Sequence, residues 1–233
     1  MRAMVAQGAI GRVQKIDAQY FQGWINPIIH DADKRNSTWR LQPDKSGISC
    51  CIGDIGTHAF DMIEYVSGLK VEQVLSDLNY LYKDNTMDVD GSVLIRCEDG
   101  TKGCIRASQI ATGEENSFVV RIYGDQGGLV WEQENPNALH LLKEGSPAQV
   151  LKPGNQYNSE LSLDGTKLPP GHPEGIFDAM GNIYHGVARA IRNEVFVPGE
   201  FPEIGQGLRG MDFIEKVVAS HQQGNVWKKL DTK

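Results

Sequence analysis

Between Val71 and Leu151 the chain alternates short apolar runs with turn residues, and helical spacing appears only outside that block. Asp99-Gly100 is a tight-turn dipeptide, so Val89 to Glu98 and Thr101 to Ile110 should form a hairpin. Val71 to Lys83 reads as a strand before it. Phe118 to Tyr123 and Gly128 to Trp131 flank the turn Gly124-Asp125-Gln126-Gly127, and His140 to Leu142 with Ala148 to Leu151 read as a further pair. Ile10 to Gln22 is one more strand, placed ahead of a helix at Asp54 to Val66. Two amphipathic helices, Phe177 to Arg192 and Gly207 to Gln222, close the chain. Strands and helices are thus segregated along the sequence. That order predicts an α+β fold, an open and mainly antiparallel sheet with helices on one face, rather than an alternating β-α-β wind. Residues 25 to 47 and 152 to 175 are polar and rich in turn formers, and read as long loops.

Within the first helix, Asp54 and His58 lie four residues apart, in Gly53-Asp54-Ile55-Gly56-Thr57-His58-Ala59-Phe60-Asp61. Residues at that spacing share one helical face. A carboxylate and an imidazole held together can orient a hydroxyl and move its proton, because imidazole changes charge in the neutral range. A structural reading stands beside this one: Asp54 as the helix N-cap and His58 as a core histidine bonded to backbone. Trp39 and Arg40 end the loop before the helix. A guanidinium there can donate to sugar hydroxyls or to an acidic group, and an indole can stack on a pyranose face; a surface Arg lying over a half-buried Trp is the alternative. His30, Asp31 and Asp33 are candidates for the same mouth. Tyr20, Trp24, Tyr80 and Tyr82 fall in predicted strands and read as core or interface.

A nucleotide-binding wind needs a strand, a glycine-rich turn and a helix. One textual match exists, Gly205-Gln206-Gly207-Leu208-Arg209-Gly210, but Phe201-Pro202-Glu203 precedes it instead of a buried strand. Those glycines read as a loop ending in a helix start. A formal charge of −7 argues against a nucleic-acid backbone as partner. No apolar run approaches the roughly 20 residues that cross a bilayer. The N-terminus lacks the apolar centre of a signal peptide. Cys50, Cys51, Cys97 and Cys104 show no C-x-x-C spacing and read as reduced thiols. A cytoplasmic protein acting on a small molecule is the expectation. Asp54, His58 and Asp61 make a thin ligand set, so no metal is expected.

The segment Gly53 to Asp61 resembles the D-x-G-x-H-x-x-D signature of the Gfo/Idh/MocA oxidoreductases, relatives of glucose-fructose oxidoreductase and inositol dehydrogenase. Gly8-Ala9-Ile10-Gly11-Arg12-Val13 resembles the entry into that family's C-terminal domain. Trp39-Arg40 with Ser46-Gly47 resembles the loop before the signature. Ile122-Tyr123-Gly124-Asp125-Gln126-Gly127-Gly128-Leu129 resembles its hairpin, and Gly207-Leu208 through Ser220 its closing helix. The likeness covers residues 1 to about 227. It implies one substrate-binding and oligomerisation domain over 1–233, with residues 1–8 the remnant of a connection to a missing N-terminal Rossmann domain. That domain would bind NAD or NADP and supply a lysine in an E-K-P motif absent here.

By the same resemblance the full-length protein is an NAD(P)-dependent sugar or polyol dehydrogenase and a homo-oligomer formed through the open face of the sheet. His58 and Asp54 are then catalytic, and Trp39, Arg40, His30 and Asp33 bind substrate. This chain alone is expected to hold no cofactor and to be inactive. The pattern departs at Ser46-Gly47-Ile48-Ser49-Cys50-Cys51, where the family often has three glycines, so the sugar does not transfer by analogy. The alternative is a non-catalytic carbohydrate-binding or dimerisation module.

Overall fold

The computed structural model describes residues 1–82, 85–194 and 199–231. Among them nine strands form one sheet: β1 (Val13–Phe21), β2 (Val71–Asn79), β3 (Asp90–Cys97), β4 (Lys102–Ser108), β5 (Ser117–Gly124), β6 (Gly128–Glu132), β7 (Leu139–Leu142), β8 (Gln149–Leu151) and β9 (Lys228–Lys229). Their order is β8-β7-β6-β5-β1-β4-β3-β2-β9. The segments on either side of residues 109–116 are two antiparallel meanders, and β1 is the seam between them. It pairs parallel with β4 and antiparallel with β5, and every other pairing is antiparallel.

The helices are α1 (Arg2–Ala6), α2 (Asn26–Ile29), α3 (Ala32–Ser37), α4 (Pro43–Ser46), α5 (Thr57–Ser67), α6 (Glu160–Gly165), α7 (Ile176–Ile191) and α8 (Ile204–Gln222). The period-2 pattern of the strands decides which face the helices cover. Ile16, Ala18 and Tyr20 on β1, Val93 and Ile95 on β3, Ile105 on β4 and Val120 and Ile122 on β5 are buried with Phe60 and Ile63 of α5 and Phe213 and Val217 of α8. Phe60 and Phe213 stack at 4.4 Å. Glu64 of α5 and Arg209 of α8, both buried, lock the two helices: Arg209 Nε donates to Glu64 Oε2 at 2.9 Å, and the second oxygen accepts the Val71 N–H at 2.8 Å. The intervening strand residues look the other way. There Asp17 sits 3.2 Å from both Arg106 and Arg121, and Leu94 is 47% exposed.

The glycine motif before β1 has a local cause. Gly11 has φ +72°, and a Cβ there would collide with the Asp125 carboxylate, which accepts the Arg12 N–H at 2.9 Å. The hairpin after β5 is thereby tied to the entry of β1.

Four expectations need correction. Residues 25 to 47 are not one irregular loop but hold α2, α3, a 3₁₀ turn at Trp39–Leu41 and α4. The residues read as loop formers are helix starters: Pro27 and Pro43 open α2 and α4, and the Asp31 carboxylate caps α3 by accepting from the N–H groups of Asp33 and Lys34. The segment 152 to 175 likewise holds α6, capped by Ser159. The glycines of Gly205 to Gly210 lie inside α8, which starts earlier because Glu203 and Gln206 form a reciprocal cap. The strand expected over Val71 to Lys83 ends at Asn79, with Tyr80 and Tyr82 beyond it, and Lys83 lies outside the described residues.

Candidate active site

The helix carrying Asp54 does not begin as an α-helix. Residues Ile52–Gly56 form a π-turn, which runs into α5. Such i→i+5 turns are rare and gather at functional sites. The turn has no capping side chain of its own. Its cap comes from the far side of a strand: the buried Asp88 carboxylate accepts the N–H groups of Cys50 and Ile52, each at 2.8 Å. Burial pushes the Asp88 carboxyl above its ordinary range, opposed by those hydrogen bonds. Asp54 is therefore not the N-cap, and its carboxylate is free for other work.

That carboxylate is held on one side only. Gln109, fully buried, donates from Nε2 to Asp54 Oδ2 at 2.8 Å. The Arg40 Nε lies 3.1 Å from the same oxygen; it is buried, and the alignment is that of an ion pair rather than of a good hydrogen bond. The Gln109 amide is oriented in turn by Cys50, whose Sγ donates to Gln109 Oε1 at 3.3 Å. Burial, aided by the charges of Asp88 and Asp54, pushes the Cys50 thiol up to about 12, so it keeps the proton it donates. Among the described residues, nothing donates to Asp54 Oδ1.

His58 lies one turn on, exposed, at the start of α5. Its ring is 6.1 Å from Tyr20, which stacks on Phe118 at 4.9 Å. No hydrogen bond among the described residues engages either ring nitrogen. The reading of His58 as a core histidine is thus overturned by its exposure. Asp54 does not steady the imidazole either, since its bonded oxygen goes to Gln109 and Arg40. The pair instead offers one unclaimed carboxylate oxygen and one unclaimed imidazole from neighbouring turns. Two neighbouring hydroxyls of one molecule could donate to them, one to each.

Arg40 reaches this point from the loop, its guanidinium 4.6 Å from the Trp39 ring and 5.7 Å from the Trp24 ring. Trp39 is 53% exposed. The structure thus brings Arg40 to Asp54, with Trp39 stacked behind the guanidinium. The structure does not bring His30 or Asp33 into contact with this group: His30 Nδ1 is 2.5 Å from the Tyr82 hydroxyl, and Asp33 sits exposed in the first turn of α3. Among the described contacts, neither touches Asp54, His58 or Arg40.

Sequence reasoning missed Asp88, Gln109 and Cys50, which lie far apart in the chain or have no motif of their own. It also set Trp24 aside as core or interface. A usable signal was present: Tyr20, Gln22 and Trp24 continue the inward period of β1 past its end, toward Arg40.

A cleft of about 610 Å³ lies elsewhere, between α1 and the β6–β8 edge, lined chiefly by Met4, Met62, Tyr65, Trp131, Leu139 and Leu151. Its lining includes Lys152 and Tyr157 but no histidine or carboxylate. The carboxylate–imidazole pair lies instead at the open mouth formed by Asp54 and His58.

Residues 1–130 match the GFO/IDH/MocA C-terminal domain. An uncharacterized oxidoreductase of Bacillus subtilis (strain 168), YfiI, is 30% identical over 235 residues, covering 97% of this chain and 60% of that protein. A levoglucosan dehydrogenase of Pseudarthrobacter phenanthrenivorans is 30% identical over 160 residues, 59% of this chain and 39% of that one. An inositol dehydrogenase homolog of Azotobacter vinelandii, solved with NAD⁺, superposes with a TM-score of 0.87 at 27% identity, over 98% of this chain and 60% of that one. The same protein solved with NADH and myo-inositol gives 0.80 at 26%, with the same coverage of both chains. The chain thus spans at most about 60% of the length of these relatives.

Proposed function

The chain belongs to the GFO/IDH/MocA family as its C-terminal domain, and from that premise we propose that it is the substrate-binding half of an NAD(P)-dependent sugar or polyol dehydrogenase. The observation that carries the reading is the pairing of an unclaimed Asp54 oxygen with an unclaimed, exposed imidazole on adjacent turns. Oxidising a secondary alcohol removes a hydride from carbon and a proton from oxygen. His58 takes the hydroxyl proton as general base. Asp54 accepts or steadies a neighbouring hydroxyl through Oδ1, held in aim by Gln109 and Arg40. Arg40, Trp39, His30 and Asp33 are the substrate-binding set, of which Arg40 and Trp39 have direct geometric support.

The residues of this chain do not suit a dinucleotide. Its one glycine-rich match is helical, inside α8, with no strand leading into it among the described residues. The NAD(H) that related structures hold is therefore assigned to a Rossmann domain outside this sequence, linked through residues 1–8, and the chain alone is proposed to be inactive. The open sheet face, with Leu94 and the Asp17–Arg106–Arg121 cluster, is the proposed surface of a homo-oligomer. The protein is proposed to work in the cytoplasm, with neither nucleic acid nor membrane as a partner.

In the intact protein carrying both halves, His58→Ala should lower turnover of the polyol by about 10²-fold or more. A near-normal rate would reduce His58 to a structural residue. This chain alone, incubated with NAD⁺ and a panel of sugars and polyols, should form no NADH.

A further inference from the structure

β1 delivers a row of polar and aromatic side chains to the mouth of the site. Tyr20 lies on the buried face of β1, and Gln22 and Trp24 follow just past the end of the strand. Trp24 Nε1 donates to Gln22 Oε1 at 3.1 Å, and Gln22 Nε2 donates to Asn116 Oδ1 at 2.8 Å. The Tyr20 hydroxyl donates to the same Asn116 oxygen at 3.0 Å. The row is closed at both ends by the candidate site: Trp24 lies under the Arg40 guanidinium at 5.7 Å, and Tyr20 lies 6.1 Å from the His58 ring.

Its chemistry is specific. The Asn116 oxygen is saturated from within, whereas the Asn116 Nδ2 group, exposed, donates to nothing among the described residues. Two outward amide hydrogens, beside aromatic rings, suit hydroxyl oxygens of a ring-shaped polyol. The charges suit an uncharged one. Arg40 is the one cation along this row, and Asp54 neutralises it at 3.1 Å. Glu134 borders the row from the outside, accepting the Asn116 N–H at 2.9 Å. A carboxylate or phosphate on the substrate would meet acidic groups and find no free guanidinium.

We propose that Asn116, held in aim by Tyr20 and Gln22, forms a specificity shelf whose free amide hydrogens bind hydroxyls remote from the reacting carbon, and that it selects uncharged cyclic polyols over sugar acids and sugar phosphates. The shelf rests on the assignment of Asp54 and His58 to the reacting hydroxyl, and it adds the groups that choose the rest of the molecule.

The test is a titration of this chain with myo-inositol, followed by NMR of the Asn116 side-chain amide and the His58 ring, with glucuronate and inositol monophosphate as charged comparators. Both signals should move along one saturable curve with myo-inositol, and neither charged compound should saturate. Asn116→Ala, at an exposed position, should weaken binding by roughly tenfold, the loss of a hydrogen bond worth about 1.4 kcal/mol. Tyr20→Phe keeps the stack on Phe118 and should weaken binding by a smaller factor. Movement of His58 without Asn116, or unchanged affinity in both variants, overturns the shelf and leaves the role of His58 standing. Charged compounds that bind as well as myo-inositol overturn the selectivity. Saturation of neither signal removes the shelf together with the reading it rests on.

Discussion

Asp54 turns one oxygen toward the protein and keeps the other free, and that asymmetry depends on side chains the motif does not contain. Asp88 caps the π-turn so that Asp54 need not, and Gln109 and Arg40 occupy Oδ2. Asp88→Ala strips the acceptor from two backbone donors and should cost about 1–3 kcal/mol in a urea titration, with the loss centred on the Cys50–Gly56 segment. The pH dependence has a definite sign. The folded Asp88 carboxyl is raised above its ordinary 3.8, so in that window the folded protein binds more protons than the unfolded chain, and stability falls as pH rises. Asp88→Asn does not titrate. The stability difference between wild type and Asp88→Asn should therefore favour wild type most below pH 3.8 and shrink as pH rises through the folded value. A difference that grows with pH would show that hydrogen bonding, not burial, governs this carboxyl. Asp54, His58, Trp39 and Arg40 could be read from the sequence as candidates, because spacing, residue type and the family resemblance mark them. Gln109 and Asp88 could not, because their roles arise from strand pairing that brings positions 88 and 109 beside 50–54.

At the scale of elements, α5 and α8 are clamped by charge as well as by the Phe60–Phe213 stack. Arg209 and Glu64 have side chains 5% and 7% exposed. Breaking such a pair takes the facing carboxylate away from a buried guanidinium. Glu64→Ala should destabilise the protein by about 3–5 kcal/mol, measured by chemical denaturation, whereas replacing both partners with apolar residues should cost much less. Equal losses in the single and double variants would contradict the clamp. The long elements were readable from period alone: β3, β4 and their Asp99-Gly100 turn, α7 and most of α8. The short helices α2, α3, α4 and α6 were not. Each has four to six residues, too few for a periodic signal, and its caps are the same Asp, Ser and Pro that mark turns. The π-turn is also invisible to an argument built on a 3.6-residue period.

At the scale of the molecule, the seam strand β1 does two jobs. It joins two meanders into one sheet, and its end carries Tyr20, Gln22 and Trp24 to the mouth where α5 presents His58. The fold class was legible because strands and helices are segregated along the chain; the parallel pairing of β1 with β4 was not, since it depends on which edge receives the first strand. The candidate site is an open mouth, away from the 610 Å³ cleft beside α1. A crystal of this chain soaked with myo-inositol tests that placement most directly. One ring hydroxyl should lie within hydrogen-bond reach of a His58 ring nitrogen and a neighbouring one within reach of Asp54 Oδ1. A polyol seated in the cleft beside α1, with Asp54 and His58 untouched, would contradict the account.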